Sequence, residues 1–142
     1  MSKKGPMVIV EDDPDDQSIV EDILKELNVE NKLLFFSRSA AALEYLKTTT
    51  EQPFLIISDI NLPAQTGIQF KRQIDQDPQL RQKSIPFIFY STAIDKQTVT
   101  EAYTQLTVQG FFKKTDEYRS MKATLQQIVE YWKVCKHPNS DE

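Results

Sequence analysis

Acidic side chains follow two short apolar runs of the sequence, MVIV and FLII, and together they could bind a metal ion. Glu11, Asp12 and Asp13 come directly after the first run, and Asp59 follows the second. Clustered carboxylates repel one another unless a counter-ion offsets their charge, and Mg²⁺ prefers such oxygen ligands. With its charge screened by a metal, an aspartate can attack phosphorus and form an acyl phosphate. Asp59 is the best placed acid for this chemistry.

Hydroxyl and ammonium groups follow two later apolar runs. Ser91 and Thr92 come after PFIFY, and Lys113 and Lys114 come after GFF. Phosphoryl-transfer sites place such groups against the equatorial oxygens, where they stabilise developing charge. Ser91 and Lys114 are the candidates for these two roles.

The strands that precede these residues must bring them together. Five apolar runs alternate with segments of helical periodicity, at 7–10, 32–36, 54–57, 86–90 and 108–112. This alternation is typical of a parallel sheet covered on both faces. The sequence therefore predicts an α/β, doubly wound (βα)5 fold with a five-stranded parallel sheet. The strand order expected for it is 2-1-3-4-5, that of the flavodoxin-like fold, in which strands one and three are neighbours. Ligands of such sheets bind beyond the carboxyl ends of the strands, where the strand order reverses, so the polar groups are expected to meet there.

The intervening segments predict five helices. An amphipathic pattern begins at Pro14, and Ser39 is expected to cap the helix AAALEYLK. Weaker helical patterns cover 65–75 and 95–106, and the last and strongest runs over 116–135.

Composition predicts a single domain without affinity for nucleic acid or membranes. The chain has 142 residues, 39% of them hydrophobic, and a net charge of −4. This length fits one domain over 1–142, with a core at about 7–135 and loose ends at 1–6 and 136–142. The acidic balance disfavours nucleic acid and anionic membranes, and no apolar run approaches the ~20 residues that span a bilayer. The single cysteine and the absence of a targeting signal favour the cytoplasm.

Jointly, the motifs resemble the receiver domain of two-component response regulators, such as the single-domain chemotaxis regulators. The resemblance covers about residues 7–133 and rests on VIVEDD, DINLPAQTG, PFIFYSTA and GFFKK in receiver order. It implies that Asp59 is the phosphoacceptor, because Pro63 and Gly67 follow it four and eight positions later, as in receivers.

The same resemblance implies a Mg²⁺ site made by acids and one backbone carbonyl. In receivers the acid pair directly follows the first strand, so Asp12 is expected to bind the metal directly and Glu11 mainly through water. Asp59 contributes its carboxylate and Asn61 its carbonyl oxygen.

The remaining roles also follow from the resemblance. The family's hydroxyl lies five residues after the proline of the fourth strand, which selects Ser91 over Thr92. The Gly-aromatic-x-x-Lys pattern selects Lys114 and puts Phe111 at the position of the switch aromatic. Ser91 and Phe111 are therefore expected to move on phosphorylation.

The sequence departs from receivers at two positions. Thr115 stands where receivers have a proline after a cis bond, which puts the local loop geometry in question. Thr92 replaces a small residue that lets the phosphoryl group approach the backbone, so the pocket is expected to be tighter or the Thr92 N–H differently aimed.

The resemblance implies a stand-alone response regulator rather than an enzyme. It would accept phosphoryl with Mg²⁺ from a sensor histidine kinase or a phosphotransfer protein, and would then change its affinity for a downstream protein target. The face that changes can also form a homodimer. An aspartate-nucleophile phosphohydrolase is the alternative enzyme, although such enzymes place the acid pair late in the chain. The other alternative is an adaptor receiver that works without phosphate, against which the intact polar set argues.

Several polar residues have simpler interpretations. Acids favour the first turn of a helix, which accounts for Asp13, Asp15 and Asp16. Lys113 is expected to be a solvated strand end, and His137 an exposed residue of a polar tail.

Overall fold

The chain forms a five-stranded parallel sheet with helices on both faces. The structure is a computed structural model and describes residues 2–92 and 95–138. Its strands are β1 Met7–Val10, β2 Leu33–Phe36, β3 Leu55–Ser58, β4 Phe87–Ser91 and β5 Gly110–Lys113. They pair in parallel in the order β2-β1-β3-β4-β5. The predicted fold class and strand order are confirmed.

The described residues contain six α-helices, one more than predicted. They are α1 Pro14–Glu26, α2 Ser39–Thr48, α3 Gly67–Gln76, α4 Pro78–Lys83, α5 Lys96–Gln105 and α6 Tyr118–Val134. The additional helix is α4. It begins because Pro78 suits the first helical position and the Asp77 carboxylate accepts hydrogen bonds from the backbone N–H groups of Gln79 and Leu80, at 2.9 and 3.2 Å.

The predicted cap of α2 is wrong. Arg38 takes the N-cap position in extended conformation, without a side-chain hydrogen bond to the helix, and Ser39 is the first helical residue. The Ser39 hydroxyl is buried and instead accepts a hydrogen bond from Gln65 Nε2 at 2.5 Å. A tertiary contact has therefore replaced the local capping interaction.

The two faces of the sheet pack against different sets of helices. Met7 and Ile9 of β1 contact the core formed with α1 and α6, whereas Val8 and Val10 contact the core formed with α2, α3 and α5. Side chains of successive strand residues point to opposite faces, so a strand covered on both sides must be apolar throughout. This explains the unbroken apolar run of β1, all of which is buried.

The segments at the two ends of the chain are bonded to the domain where they are described. Lys3 Nζ donates to the Lys133 carbonyl at 3.0 Å, and Asn31 Nδ2 to the Gly5 carbonyl at 2.7 Å. His137 has no exposed surface, and its Nε2 lies 2.8 Å from the Phe54 carbonyl oxygen. The exposed position predicted for His137 is therefore wrong; residues 139–142 of the expected loose end lie outside the described residues. None of the described helices is long and apolar enough to cross a bilayer.

Candidate functional site

The candidate residues lie just past the carboxyl ends of β1, β3, β4 and β5. Val10 of β1 pairs with Ser58 of β3, and the ladder continues one step further, with Asp59 N–H donating to the Val10 carbonyl at 3.0 Å. On the other side, Lys114 N–H donates to the Ser91 carbonyl at 2.9 Å. The backbone of the sheet thus fixes where the Asp59 and Lys114 side chains begin.

The Asp59 carboxylate lies at the centre of this cluster. Its Oδ1 accepts from Ser91 Oγ at 2.5 Å, from Ile60 N–H at 2.6 Å and from Asn61 N–H at 3.3 Å. Its Oδ2 accepts from Lys114 Nζ at 3.2 Å. The side chain is 11% exposed, so the carboxylate is partly open to an incoming ligand. One oxygen is held by neutral donors, and the other lies against a cation.

The Lys114 ammonium is surrounded by three carboxylates. It donates to Glu11 Oε2 at 2.8 Å and to Asp16 Oδ2 and Asp59 Oδ2 at 3.2 Å each. The lysine side chain is 5% exposed. Such a buried cation needs this pairing to offset its desolvation.

Close packing of these charges changes their protonation equilibria. Burial, followed by the hydrogen bond to Asp59, raises the pKa of Glu11 to about 8, against the opposing effect of Lys114. Burial alone would raise the pKa of Asp59, but hydrogen bonds from Glu11, Ser91 and Lys114 outweigh it and hold that pKa below its ordinary value. Burial would lower the pKa of Lys114, but the hydrogen bond and charges of the surrounding acids raise it instead. The three carboxylates around Lys114 together carry more negative charge than its single ammonium can neutralise.

The adjacent acids Asp12 and Asp13 differ in what they contact. Asp13 caps α1, accepting from Asp15 N–H at 2.9 Å, which agrees with its interpretation as a helix-start residue. Asp12 is exposed, and its carboxylate has no hydrogen-bond partner among the residues described. Asp12 is thus the acid of this pair that is available to a ligand.

A hard divalent cation fits the chemistry of this donor set. Glu11, Asp12, Asp59 and the Asn61 carbonyl offer only oxygen ligands, and Asn61 is exposed beside the acids. Within residues 2–92 and 95–138, no three acidic, histidine or cysteine side chains already form a cation site, and the Lys114 ammonium bridges Glu11 and Asp59. Oxygen-only donors with excess negative charge are typical of Mg²⁺ sites.

The remaining predicted residues lie on β4, β5 and their loops. Ser91 is fully buried and bonded to Asp59, whereas Thr92 is exposed at a bend. Phe111 is half-buried, with its ring centroid 5.5 Å from that of Phe89 in the core beside α3. All described peptide bonds are trans, including the one that precedes Thr115.

Gly67 supports the backbone of Asp59. Its N–H donates to the Ile60 carbonyl at 2.7 Å, and a Cβ on Gly67 would lie only 2.2 Å from the Asp59 carbonyl oxygen. Thr66 then starts α3 with a capping box, in which Thr66 and Gln69 exchange hydrogen bonds at 2.8 and 3.1 Å. The loop from 59 to 67 is closed tightly onto the end of β3.

Asp16 is the site contact that the sequence did not predict. The sequence indicates only a first-turn acid of α1 at this position, yet the Asp16 carboxylate lies 3.2 Å from Lys114 Nζ. Asp16 could have been predicted from its place in the first turn of α1, because that turn follows the acid pair and begins at the same edge of the sheet.

Comparison with known proteins agrees with this architecture. The sequence model of the response regulator receiver domain family matches residues 7–126. The response regulator Rcp1 of Synechocystis sp. is 28% identical over 131 residues, covering 89% of this chain and 87% of that protein.

Two solved structures are similar over most of their length. The Mn²⁺-bound form of response regulator Rcp1 has a TM-score of 0.82 at 25% identity, covering 94% of this chain and 98% of that one. The phosphorylated cyanobacterial phytochrome response regulator RcpA has a TM-score of 0.84 at 24% identity, with the same coverage, and supports the fold.

Proposed function

The chain belongs to the receiver domain family of response regulators, and we propose that it accepts a phosphoryl group on Asp59 with the help of Mg²⁺. The donor is a phosphohistidine of a sensor histidine kinase or a phosphotransfer protein. The protein is then a signalling switch that assists its own phosphorylation rather than an enzyme with a separate substrate.

The environment of the Asp59 carboxylate is the observation that carries this proposal. Asp59 Oδ2 attacks phosphorus, forming a P–O bond while the P–N bond to the donor imidazole breaks and the imidazole nitrogen keeps the electron pair. Oδ1 keeps its hydrogen bond from Ile60 N–H at 2.6 Å, which fixes the orientation of the nucleophile. A preorientated nucleophile lowers the barrier because less motion must be restricted in the transition state.

Lys114 and Ser91 provide charge stabilisation. The Lys114 ammonium already lies 3.2 Å from Asp59 Oδ2, so it is close to the oxygens that the transferred phosphoryl group brings. The Ser91 hydroxyl, 2.5 Å from Oδ1, can turn to donate to one of those oxygens. A cation held by Glu11, Asp12, Asp59 and the Asn61 carbonyl would neutralise part of the phosphoryl charge. The Mn²⁺-bound structure of Rcp1 supports a divalent metal in this role.

Phosphorylation would be read out through β4 and β5. Ser91 and Phe89 lie on β4, and Phe89 pairs with Phe111 across the sheet. Movement of Ser91 toward the phosphoryl group changes the packing in front of Phe111, which then turns further inward. The altered surface around β5 and α6 would bind a downstream protein or a second copy of the chain.

Acetyl phosphate with Mg²⁺ tests the proposal by intact-mass spectrometry. The parent protein is expected to gain the mass of one phosphoryl group that hydroxylamine removes, as an acyl phosphate should. Asp59→Asn is expected to lose this gain. Asp95→Asn is a matched control, because Asp95 caps α5 near the same edge and Asn caps helices equally well. Equal labelling of Asp59→Asn and the parent would contradict the proposal, and steady turnover of a phosphate ester by Asp59→Asn would favour the phosphohydrolase.

A further inference from the structure

A cavity opens at the amino-terminal end of the strands, on the side of the sheet opposite to the Asp59 site. Its volume is about 240 Å³, and its apolar walls include Ile56 of β3, Ile74 of α3, Leu80 of α4 and Pro86 before β4. This is more than the ~150 Å³ cavity that holds one benzene molecule, and less than the ~300–1,000 Å³ of pockets for drug-sized ligands. Its size therefore suits a ligand with the bulk of one ring.

A buried lysine projects from α3 into the wall of this cavity. Lys71 is 3% exposed, and its Nζ donates to Asp75 Oδ1 at 2.8 Å. An ammonium carries three N–H donors, and this is its one hydrogen bond within the described part of the chain. The ring of Phe87 lies 5.1 Å from Nζ and covers another side.

The Asp75 carboxylate is already well satisfied without a ligand. Besides Lys71, it accepts from the Thr107 hydroxyl at 2.6 Å and the Thr107 backbone N–H at 2.9 Å. The two Thr107 groups therefore stabilise the negative charge of Asp75 together with Lys71. Asp75 stays in place when Lys71 donates its remaining N–H groups to a ligand.

A second cation lines the same cavity. Arg81 of α4 is exposed, and its guanidinium has no ion pair with any residue in 2–92 or 95–138. Burial lowers the pKa of Lys71, the hydrogen bond and charge of Asp75 oppose it, and the charge of Arg81 makes a smaller contribution in the lowering direction. Two cations against one carboxylate leave a local charge of +1, although the whole chain carries −4.

We propose that this cavity binds a small organic anion, a monocarboxylate whose body is a single aromatic ring. The ring would occupy the space between the apolar walls, and the carboxylate would accept hydrogen bonds from Lys71 and attract Arg81. Apolar walls with a few convergent polar groups are the usual composition of a small-molecule site. This site is separate from Asp59, so the proposal does not depend on phosphoryl acceptance.

Benzoate is the probe, titrated into the full ¹⁵N-labelled chain and followed by two-dimensional NMR. We expect saturable shift changes at the backbone amides around Lys71, Arg81 and Thr107. Benzamide, which has the same ring and no charge, is expected to bind at least tenfold more weakly. Lys71→Met should weaken benzoate binding by about tenfold or more, the usual effect of losing a hydrogen bond to a charged group.

Arg81→Gln keeps the test valid if Lys71→Met fails to fold, because Arg81 is exposed. It should weaken benzoate binding by about two- to fivefold, as for other exposed charge pairs. Arg119→Gln, the same charge change on exposed α6 surface outside the cavity, should leave binding unchanged. Absence of saturable shifts at millimolar benzoate, equal binding of benzamide, or equal losses in Arg81→Gln and Arg119→Gln would each overturn the proposal.

Discussion

Lys114 Nζ lies 2.8 Å from Glu11 Oε2, although the two residues are 103 positions apart in the sequence. Both side chains are nearly completely buried, at 5% and 4% exposure. The ammonium is therefore the counter-ion that allows the acids of β1 and β3 to lie side by side. A buried ion pair costs desolvation to form but is expensive to break from one side only.

Removal of the Lys114 charge is expected to destabilise the protein through Glu11. Lys114→Met should lower the free energy of unfolding by about 3 kcal/mol in Mg²⁺-free buffer, since it leaves buried acids without their cation. The loss should be smaller in a Glu11→Gln background, with a coupling energy of about 1–3 kcal/mol. Urea denaturation of the four proteins measures this cycle.

The neighbouring Lys113 provides the control for that experiment. Its side chain is exposed, so Lys113→Met should change stability by no more than about 0.5 kcal/mol. A coupling energy near zero between positions 11 and 114 would show that the ion pair does not stabilise the fold.

Mg²⁺ is expected to stabilise the parent protein through Asp12. A ligand that binds only the folded state adds about 2.7 kcal/mol at a concentration 100 times its dissociation constant. Thermal unfolding with and without Mg²⁺ should show this gain in the parent and lose most of it in Asp12→Asn. Asp13→Asn should respond to Mg²⁺ like the parent, because Asp13 is used to cap α1 and Asn preserves that cap. Equal responses of the two variants would remove Asp12 from the metal site.

Gly67→Ala is expected to disturb the loop that holds Asp59. Its new Cβ would lie 2.2 Å from a backbone oxygen that cannot move without shifting Asp59. We expect a loss of about 1–3 kcal/mol in urea denaturation, typical of overpacking, together with slower labelling by acetyl phosphate. Gly110→Ala is the comparison, because its Cβ would meet only the edge of the Phe112 side chain, at 2.8 Å. A cost for Gly110→Ala as large as for Gly67→Ala would contradict this explanation.

The contribution of His137 to stability is expected to fall as pH decreases, opposite in direction to that of Glu11, whose pKa is raised. Burial lowers the pKa of His137 below its ordinary value of 6.5, opposed by the hydrogen bond to Phe54. As pH decreases, the unfolded chain therefore binds the proton before the folded chain does. The contribution of His137 to the free energy of unfolding is fully present above pH 6.5 and decreases below it, until the folded form is also protonated. His137 is the sole histidine of the chain, so His137→Gln should remove this component. Free energies of unfolding at several pH values between about 5 and 8 would measure it, and parallel curves for the two proteins would contradict it.

The parallel sheet and the edge that carries the polar residues could be predicted from the residues themselves, whereas the strand order could be predicted only by likeness to the flavodoxin-like fold. The apolar runs of β1 and β3 have no alternating polar positions, which restricts them to a sheet covered on both faces. Because the carboxyl ends of parallel strands lie on one side, Glu11, Asp59, Ser91 and Lys114 had to meet there. Helix α4 escaped prediction because its six residues carry too short a pattern to show a period.

By itself, the sequence determined the parallel sheet and the set of oxygen and nitrogen groups at its edge, because hydrophobic periodicity and the alternation of strands with helices are local properties of the chain. Only the tertiary structure decided that Asp16 joins Lys114, that Glu11 is buried against the same lysine, and that His137 is buried against Phe54. These outcomes depend on distances between segments that are far apart in the chain. Burial, pairing and the resulting pKa of each group are set by neighbours that no local pattern specifies.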